Sequence, residues 1–219
     1  MPLALFGHPF SSYTQKALIA LYENETPFEF RGVGPEWPQN YAEWQERWPL
    51  RKFPVLVDDG RTIVETSIII EHLQLAHPGR IRFLPEDPAA ALEVRFLDRF
   101  FDLHVMDPVQ HAVAGAMTGD PVKREEGLAR TRARLEMAYD WLERRLSGDG
   151  WAAGPDFTLA DCAAAPSLFY ADWVHPIAAD YPRLRAYRTR LLARPSFARA
   201  VDEARPYRNL FPLGAPDRD

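Results

Sequence analysis

Three hydroxyl side chains, Ser11, Ser12 and Tyr13, stand where a short apolar run gives way to apolar residues at helical spacing. Serine is a preferred N-cap residue, because its side-chain oxygen accepts a hydrogen bond from a free backbone N–H group of the first turn. We therefore expect a helix to begin near Ser11 or Ser12. A hydroxyl in that place can cap the helix or hydrogen-bond to an anion at the helix N-terminus.

A second polar pair, Glu65 and Thr66, follows a predicted strand and precedes a predicted helix. Helix N-termini favour anions, because they present unpaired N–H groups and the positive end of the helix dipole. Thr66 is expected to cap this helix. The same hydroxyl can also donate to an anionic ligand, and both roles can hold together.

The remaining residues of chemical interest exclude several kinds of site. A single cysteine, Cys162, excludes intrachain disulfides and multi-cysteine zinc or iron–sulfur sites, and it is most simply a small core residue. His104, His111 and His175 have no metal-ligand spacing with one another or with carboxylates, so no metal is expected. One cysteine in 219 residues fits a reducing compartment, and a cytoplasmic location is expected.

Length and composition indicate two globular domains. The chain has 219 residues, of which 47% are hydrophobic, enough to bury a substantial core. Its formal charge of −5 lacks the basic field that a nucleic-acid backbone requires, so no nucleic-acid partner is expected. No stretch approaches the ~18 uninterrupted apolar residues of a membrane span, so no membrane association is expected.

Residues 1–78 alternate between short apolar runs and helical spacing, which indicates an α/β domain with a mixed sheet. A hairpin is predicted where two apolar runs flank the turn residues Asp59 and Gly60. Pro54 can only open the first of these strands or lie at an edge. The predicted elements are a strand at 3–6, a helix from 11 or 12 to about 24, a strand at 27–31, one or two helical turns before 53, the hairpin, and a helix at 66–76.

Residues 89–219 are predicted to form an all-α domain, which a linker at 79–88 joins to the first. Apolar residues recur there at helical spacing, without strand patterns. Pro108 is expected to kink the first long helix, because proline removes a backbone donor. The predicted helices cover residues 89–117, 123–146, 158–170, 183–193 and 196–204.

This layout and four short motifs resemble the cytosolic glutathione transferase family, in its serine-type classes, over nearly the whole chain. The motifs follow in order at family spacing: Ser-Ser-Tyr-Thr-Gln-Lys at 11–16, Lys-Phe-Pro-Val-Leu at 52–56, Glu-Thr at 65–66 followed by Ile69, Ile70 and Leu73, and Phe-Thr-Leu-Ala-Asp at 157–161. The resemblance implies a thioredoxin-like domain that binds glutathione and an all-α domain that holds an electrophile. It also implies a homodimer built on the helix after Thr66 and the first long helix.

The resemblance assigns a role to each residue of the two central motifs, with glutathione as co-substrate. Lys52 meets the glycyl carboxylate of glutathione. The resemblance implies a cis Phe53–Pro54 peptide bond, which would leave the backbone of Phe53 free to pair with the cysteinyl backbone of the ligand in the manner of an added strand. Glu65 holds the γ-glutamyl amine and Thr66 the γ-glutamyl carboxylate, at a position where the family more often has serine.

The first motif is expected to activate the thiol of glutathione. A hydroxyl that donates a hydrogen bond to the sulfur lowers the pKa of the thiol, about 8.5 in water, by roughly one to two pH units. Ser11 is the first candidate, Ser12 the second and Tyr13 the third, although Ser12 is expected more readily as the N-cap. Cysteine is absent from residues 11–14, which excludes a reductase that forms a mixed disulfide with glutathione there.

The electrophile pocket is expected between the domains, bounded by Phe10, residues 100–111, Phe169 and Trp173. Such a lining fits a small apolar electrophile. Two alternatives remain open: a non-catalytic protein that uses the same fold to bind a ligand or a protein, and a glutathione-dependent isomerase or dehalogenase. The retained glutathione-binding motifs argue against the first alternative.

Overall fold

The structure, a computed structural model, describes residues 3–219, so residues 1 and 2 of the predicted first domain lie outside the described residues. A four-stranded sheet and three helices span residues 4–76, which confirms the predicted α/β class. In chain order these elements are β1 (Ala4–Gly7), α1 (Ser12–Glu23), β2 (Glu29–Gly32), α2 (Pro38–Arg47), β3 (Val55–Asp58), β4 (Arg61–Ile63) and α3 (Thr66–Ala76).

The sheet is mixed, in the order β2-β1-β3-β4, with β1 parallel to β2 and antiparallel to β3. Because side chains alternate along a strand, Leu5 and Leu56 pack with α1 and α3 on one face. Phe6 and Val55 pack with Trp44 of α2 on the other face. The register pairs Phe6 with Val55, so the chain that leaves β1 toward α1 lies beside the chain that enters β3.

The second part of the chain is helical, as predicted, and the long central helix α7 is buried along its whole length. No helix within residues 3–219 is long and apolar enough to cross a membrane. The elements are α4 (Pro88–Phe100), a π-helix (Phe101–Met106), α5 (Asp107–Met117), α6 (Pro121–Arg145), α7 (Leu159–Val174), α8 (Pro182–Leu192), α9 (Pro195–Ala204) and a 3-10 helix (Arg205–Leu210).

The first helix of this domain differs from the prediction. The sequence predicts one helix over 89–117 with a kink at Pro108, whereas the structure has α4 and α5 joined by the π-helix. Pro108 has no N–H group, so the carbonyl of His104 lacks its ordinary helical donor. The chain adopts a wider turn instead, in which the N–H of Asp107 donates to the carbonyl of Asp102, five residues earlier.

The predicted capping box at the start of α7 is built around the buried carboxylate of Asp161. One of its oxygens accepts hydrogen bonds from the N–H of Thr158 at 2.8 Å and from the Thr158 hydroxyl at 3.0 Å. The other accepts from the N–H of Ala152 at 2.9 Å and from the Tyr187 hydroxyl at 2.6 Å. Cys162 is fully buried beside it, and burial raises the pKa of its thiol well above the usual value, which agrees with the expected core role.

A segment over residues 205–219, which the sequence pattern did not predict, folds back across the helical domain. The ring of Phe211 lies 5.3 Å from that of Trp173. Arg218 forms an ion pair with Asp172 of α7. An apolar contact and an ion pair therefore hold this segment against the buried central helix.

Candidate functional site

A cavity of about 650 Å³ opens between the α/β domain and the helical domain. We call it the polar cavity, because many of its lining side chains are charged. It is lined by Tyr13, Trp48, Lys52, Phe53, Pro54, Glu65, Thr66, Ser67, Ile68, Glu71, Arg95, Asp98, Arg99, Asp102 and Leu103. The lining includes all five residues that the resemblance assigns to glutathione binding, together with Tyr13.

A second cavity, of about 340 Å³, is mostly apolar. This apolar cavity is lined by His8, Phe10, Ser11, Ser12, Phe53, Met106, Val109, Gln110, Val113, Met117, Tyr170, Leu210, Phe211 and Pro212. Phe53 is part of both linings, so the two cavities adjoin at this residue. The structure therefore places Ser11 and Ser12 on the apolar side of Phe53 and Tyr13 on the polar side.

The backbone around Phe53 is open to a ligand. The Phe53–Pro54 peptide bond is cis, as the resemblance implies. Neither the N–H nor the carbonyl of Phe53 has a hydrogen-bond partner within residues 3–219. Next to it, the carbonyl of Lys52 accepts a hydrogen bond from the Trp44 indole at 3.0 Å, which fixes the backbone while the Lys52 side chain stays exposed.

The start of α3 forms the opposite wall of the polar cavity. Glu65, not Thr66, is the N-cap residue, so the expected capping role of Thr66 is wrong. Glu65 has φ of 67°, a left-handed conformation that non-glycine residues adopt mainly where the surroundings impose it, often at functional sites. The first N–H group bonded within this helix is that of Ile69, to the carbonyl of Glu65 at 2.8 Å. The N–H groups of Thr66, Ser67 and Ile68 are therefore left for an anion.

The start of α1 corrects a second capping expectation. Ser11 is the N-cap, and its Oγ accepts a hydrogen bond from the N–H of Thr14 at 3.3 Å. The expected N-cap role of Ser12 is therefore wrong. Ser12 is the first helical residue, and its buried Oγ has no hydrogen-bond partner among the described residues. The hydrogen of the Ser11 hydroxyl is still available to a further acceptor.

The hydroxyl of Tyr13 stays protonated near neutral pH. Burial, followed by the negative charge of Asp102, raises the pKa of Tyr13 well above its usual range. The Tyr13 hydroxyl can therefore donate a hydrogen bond, and Tyr13 lies in the wall of the polar cavity.

A buried ion cluster, which the sequence did not reveal, lies beneath the polar cavity. Lys16 of α1 is fully buried, and its Nζ lies 2.6 Å from Asp98 Oδ1 and 2.8 Å from Asp102 Oδ2. The same Nζ donates to Ser67 Oγ at 3.0 Å. Arg99, half exposed, reaches the same carboxylates and Ser67 from the cavity side. The cluster therefore joins α1 and α3 to α4 and the π-helix, that is, one domain to the other.

The residues expected to bound an electrophile pocket line the apolar cavity in part. Phe10 lines the apolar cavity, and of the predicted stretch 100–111 so do Met106, Val109 and Gln110. Phe169 and Trp173 do not line this cavity. Their rings pack 4.8 Å apart on the buried helix α7, where only Tyr170 reaches the cavity. The missing wall comes from residues 210–212 of the folded-back segment.

Comparison with known proteins identifies the family. Models of the glutathione S-transferase N-terminal and C-terminal domains match residues 5–80 and 125–190. A probable maleylacetoacetate isomerase of Vibrio cholerae is 28% identical over 218 residues, covering 94% of this chain and 98% of that protein. An uncharacterized GST-like protein of Escherichia coli is 31% identical over 202 residues, covering 90% of this chain and 97% of that protein. A glutathione transferase homologue from Drosophila mojavensis, solved with bound glutathione, has a TM-score of 0.79 at 21% identity and covers 94% of each chain. The chain therefore belongs to the glutathione transferase family.

Proposed function

We propose that this member of the family is a glutathione transferase that binds glutathione in the polar cavity and adds its thiolate to a small apolar electrophile in the apolar cavity. The proposal rests on the position of Phe53. This residue lines both a cavity with charged walls and a cavity with apolar walls. A peptide thiol bound along Phe53 would lie where the two cavities adjoin.

The polar cavity suits the charges of glutathione. Its volume of about 650 Å³ falls within the range of small-ligand sites. Lys52 supplies a positive charge for the glycyl carboxylate, and the free N–H groups at the start of α3 suit the γ-glutamyl carboxylate. Glu65 suits the amine, and the open backbone of Phe53 suits the cysteinyl unit between them.

Ser11 is our first candidate for thiol activation. The Ser11 hydroxyl accepts its hydrogen bond from the first turn of α1, so its hydrogen can point to the sulfur. The positive end of α1 adds to the stabilisation of a thiolate. Ser12 stays the second candidate, since this residue lines the same cavity, and Tyr13 the third, since it lies on the other side of Phe53.

Ser11→Gly is expected to raise the pKa of bound glutathione by about one to two pH units. The variant loses one charge-assisted hydrogen bond to the thiolate, worth roughly 1.5–3 kcal/mol. Glycine is chosen because it costs only a few tenths of a kcal/mol at an N-cap, whereas alanine costs ~1 kcal/mol. Ultraviolet titration of the bound thiolate measures the pKa, and turnover of an electrophile at neutral pH should fall in parallel.

Ser12→Ala and Tyr13→Phe are the controls, and neither should change the pKa of bound glutathione. A rise in only one of these variants would move the activating role to that residue. If no variant changes the titration, a side-chain hydroxyl does not activate the thiol. A wild type that binds glutathione without lowering its thiol pKa would favour the non-catalytic alternative.

A glutathione-dependent isomerase is the second candidate, because several relatives are named probable maleylacetoacetate isomerases. An isomerase returns glutathione at the end of each cycle, whereas a transferase consumes one molecule per product. The lining of the apolar cavity contains no lysine or arginine among the described residues, which favours an uncharged substrate. A screen of apolar electrophiles and cis-unsaturated keto acids, with glutathione consumption measured for each compound, separates the two reactions.

We further propose a homodimer and a cytoplasmic location. Several large apolar side chains of α3, α4 and the π-helix are exposed: Ile68, Leu75, Leu92, Phe96 and Leu103. Sedimentation is expected to give about twice 25.0 kDa at micromolar concentration. Phe96→Glu should yield monomers, whereas Met137→Glu, at a still more exposed apolar site on α6, should not. A wild-type monomer would contradict the proposal of a homodimer.

The proposed cytoplasmic location is supported by the single, buried Cys162.

A further inference from the structure

Three side chains outside both cavities converge on one point at the far end of the α/β domain. Nε2 of His72 and Nε2 of His77 each lie 2.8 Å from the same carboxylate oxygen, Oδ2 of Asp58. All three ligand atoms lie within 4.8 Å of one another. Neither cavity of the proposed transferase site includes any of these residues.

Regular secondary structure holds the three side chains in place. Asp58 is the last residue of β3, directly before the turn to β4. His72 lies within α3, and His77 is its C-cap, with a backbone N–H that donates to the carbonyl of Leu73 at 2.8 Å. The side chains are 18% to 33% exposed, so an ion from solvent can reach them.

The donor set matches the preferences of transition metals. Two imidazole nitrogens and one carboxylate oxygen suit zinc, cobalt, nickel and copper, whereas calcium and magnesium prefer oxygen alone. Zinc binds such ligands at about 2.0–2.2 Å, which puts tetrahedral ligand atoms roughly 3.4 Å apart. The two nitrogens must therefore move about half an ångström from the carboxylate oxygen, which small side-chain rotations can supply.

We propose that Asp58, His72 and His77 bind one divalent transition metal ion, Zn²⁺ foremost, with water completing the coordination. Within residues 3–219, this is the only group of three histidine, cysteine or acidic ligands so closely placed. The ion would clamp the end of β3 to the end of α3. The sequence prediction of no metal considered His104, His111 and His175, and it did not consider the five-residue spacing of His72 and His77.

Zinc titration of the untagged, metal-free chain tests the proposal, with glutathione left out because its thiol also binds zinc. Calorimetry is expected to show one saturable site per chain. His72→Gln, His77→Gln and Asp58→Asn should each weaken it by at least the roughly 10–100-fold that loss of an outer-shell partner causes. Cobalt, used as a spectroscopic probe, should give visible absorption bands of tetrahedral type in the wild type and lose them in these variants.

His175→Gln is the matched control, since His175 also contacts a carboxylate, that of Glu136, but has no second histidine beside it. It should bind zinc like the wild type. The melting temperature should rise with zinc in the wild type and in His175→Gln, and stay constant in His77→Gln. Circular dichroism checks that each variant is folded. Absence of a saturable site, or equal zinc affinity in His77→Gln and the wild type, would overturn the proposal.

Discussion

Lys16→Met is expected to lower the free energy of unfolding by about 3–5 kcal/mol, the largest effect of any substitution considered. The Asp98 and Asp102 side chains are only 2% and 8% exposed, and Lys16 is the buried cation between them. Without it, the two buried carboxylates keep only the half-exposed Arg99 as a positive partner within residues 3–219. Desolvation of an uncompensated charge is costly, and the loss falls on contacts that join the two domains.

Chemical denaturation measures this loss, with Lys123→Met as the matched control. The Lys123 side chain is 68% exposed and lies 3.8 Å from Asp120, so its removal should cost less than about 1 kcal/mol. Adding Asp98→Asn to Lys16→Met should recover part of the stability, because it removes one of the two stranded charges. A loss below about 1 kcal/mol in Lys16→Met would show that the cluster does not join the domains energetically.

Glu65→Ala is expected to weaken glutathione binding by about 2–3 kcal/mol, or roughly 30- to 140-fold in Kd. Under the proposed function its carboxylate holds the γ-glutamyl amine, and this charge-assisted contact has no neutral substitute. Glu65→Gln keeps the size of the side chain and should lose most of the same energy. Calorimetric titration with glutathione measures both values.

Glu25→Ala is a close control for this change. Glu25 also has a positive φ, 49°, and it is exposed outside both cavities. The control therefore makes the same substitution in a similar backbone conformation and should bind glutathione like the wild type. Unchanged affinity in Glu65→Ala would mean that the ligand does not lie against the start of α3.

Local patterns predicted the elements of the fold well. The helix at 66–76 has its predicted bounds, because Ile69, Ile70 and Leu73 repeat at helical spacing and pack against the sheet. The caps were placed one residue too late at both α1 and α3. A cap depends on the backbone angles of one residue, and a glutamate side chain does not predict the left-handed φ that Glu65 adopts.

Contacts between distant residues could not be predicted in the same way. In the sequence, Lys16 is one polar residue at the start of an apolar helix, while its carboxylate partners, Asp98 and Asp102, stand more than 80 residues away. The rarity of lysine was the one signal in the sequence that pointed to Lys16, since the chain has only three lysines. The π-helix at 101–106 was missed because Pro108 predicts an irregularity but not which hydrogen-bond pattern absorbs it.

The segment over residues 205–219 has a consequence for how this chain and its relatives can diverge. Leu210, Phe211 and Pro212 form one wall of the apolar cavity. Arg218 fastens the segment to Asp172 by an ion pair, and surface loops of this kind tolerate changes of length and sequence. Under the proposed function, one wall of the electrophile site is thus encoded far along the chain from the candidates for thiol activation. Selection can change that wall without changing the residues that activate the thiol.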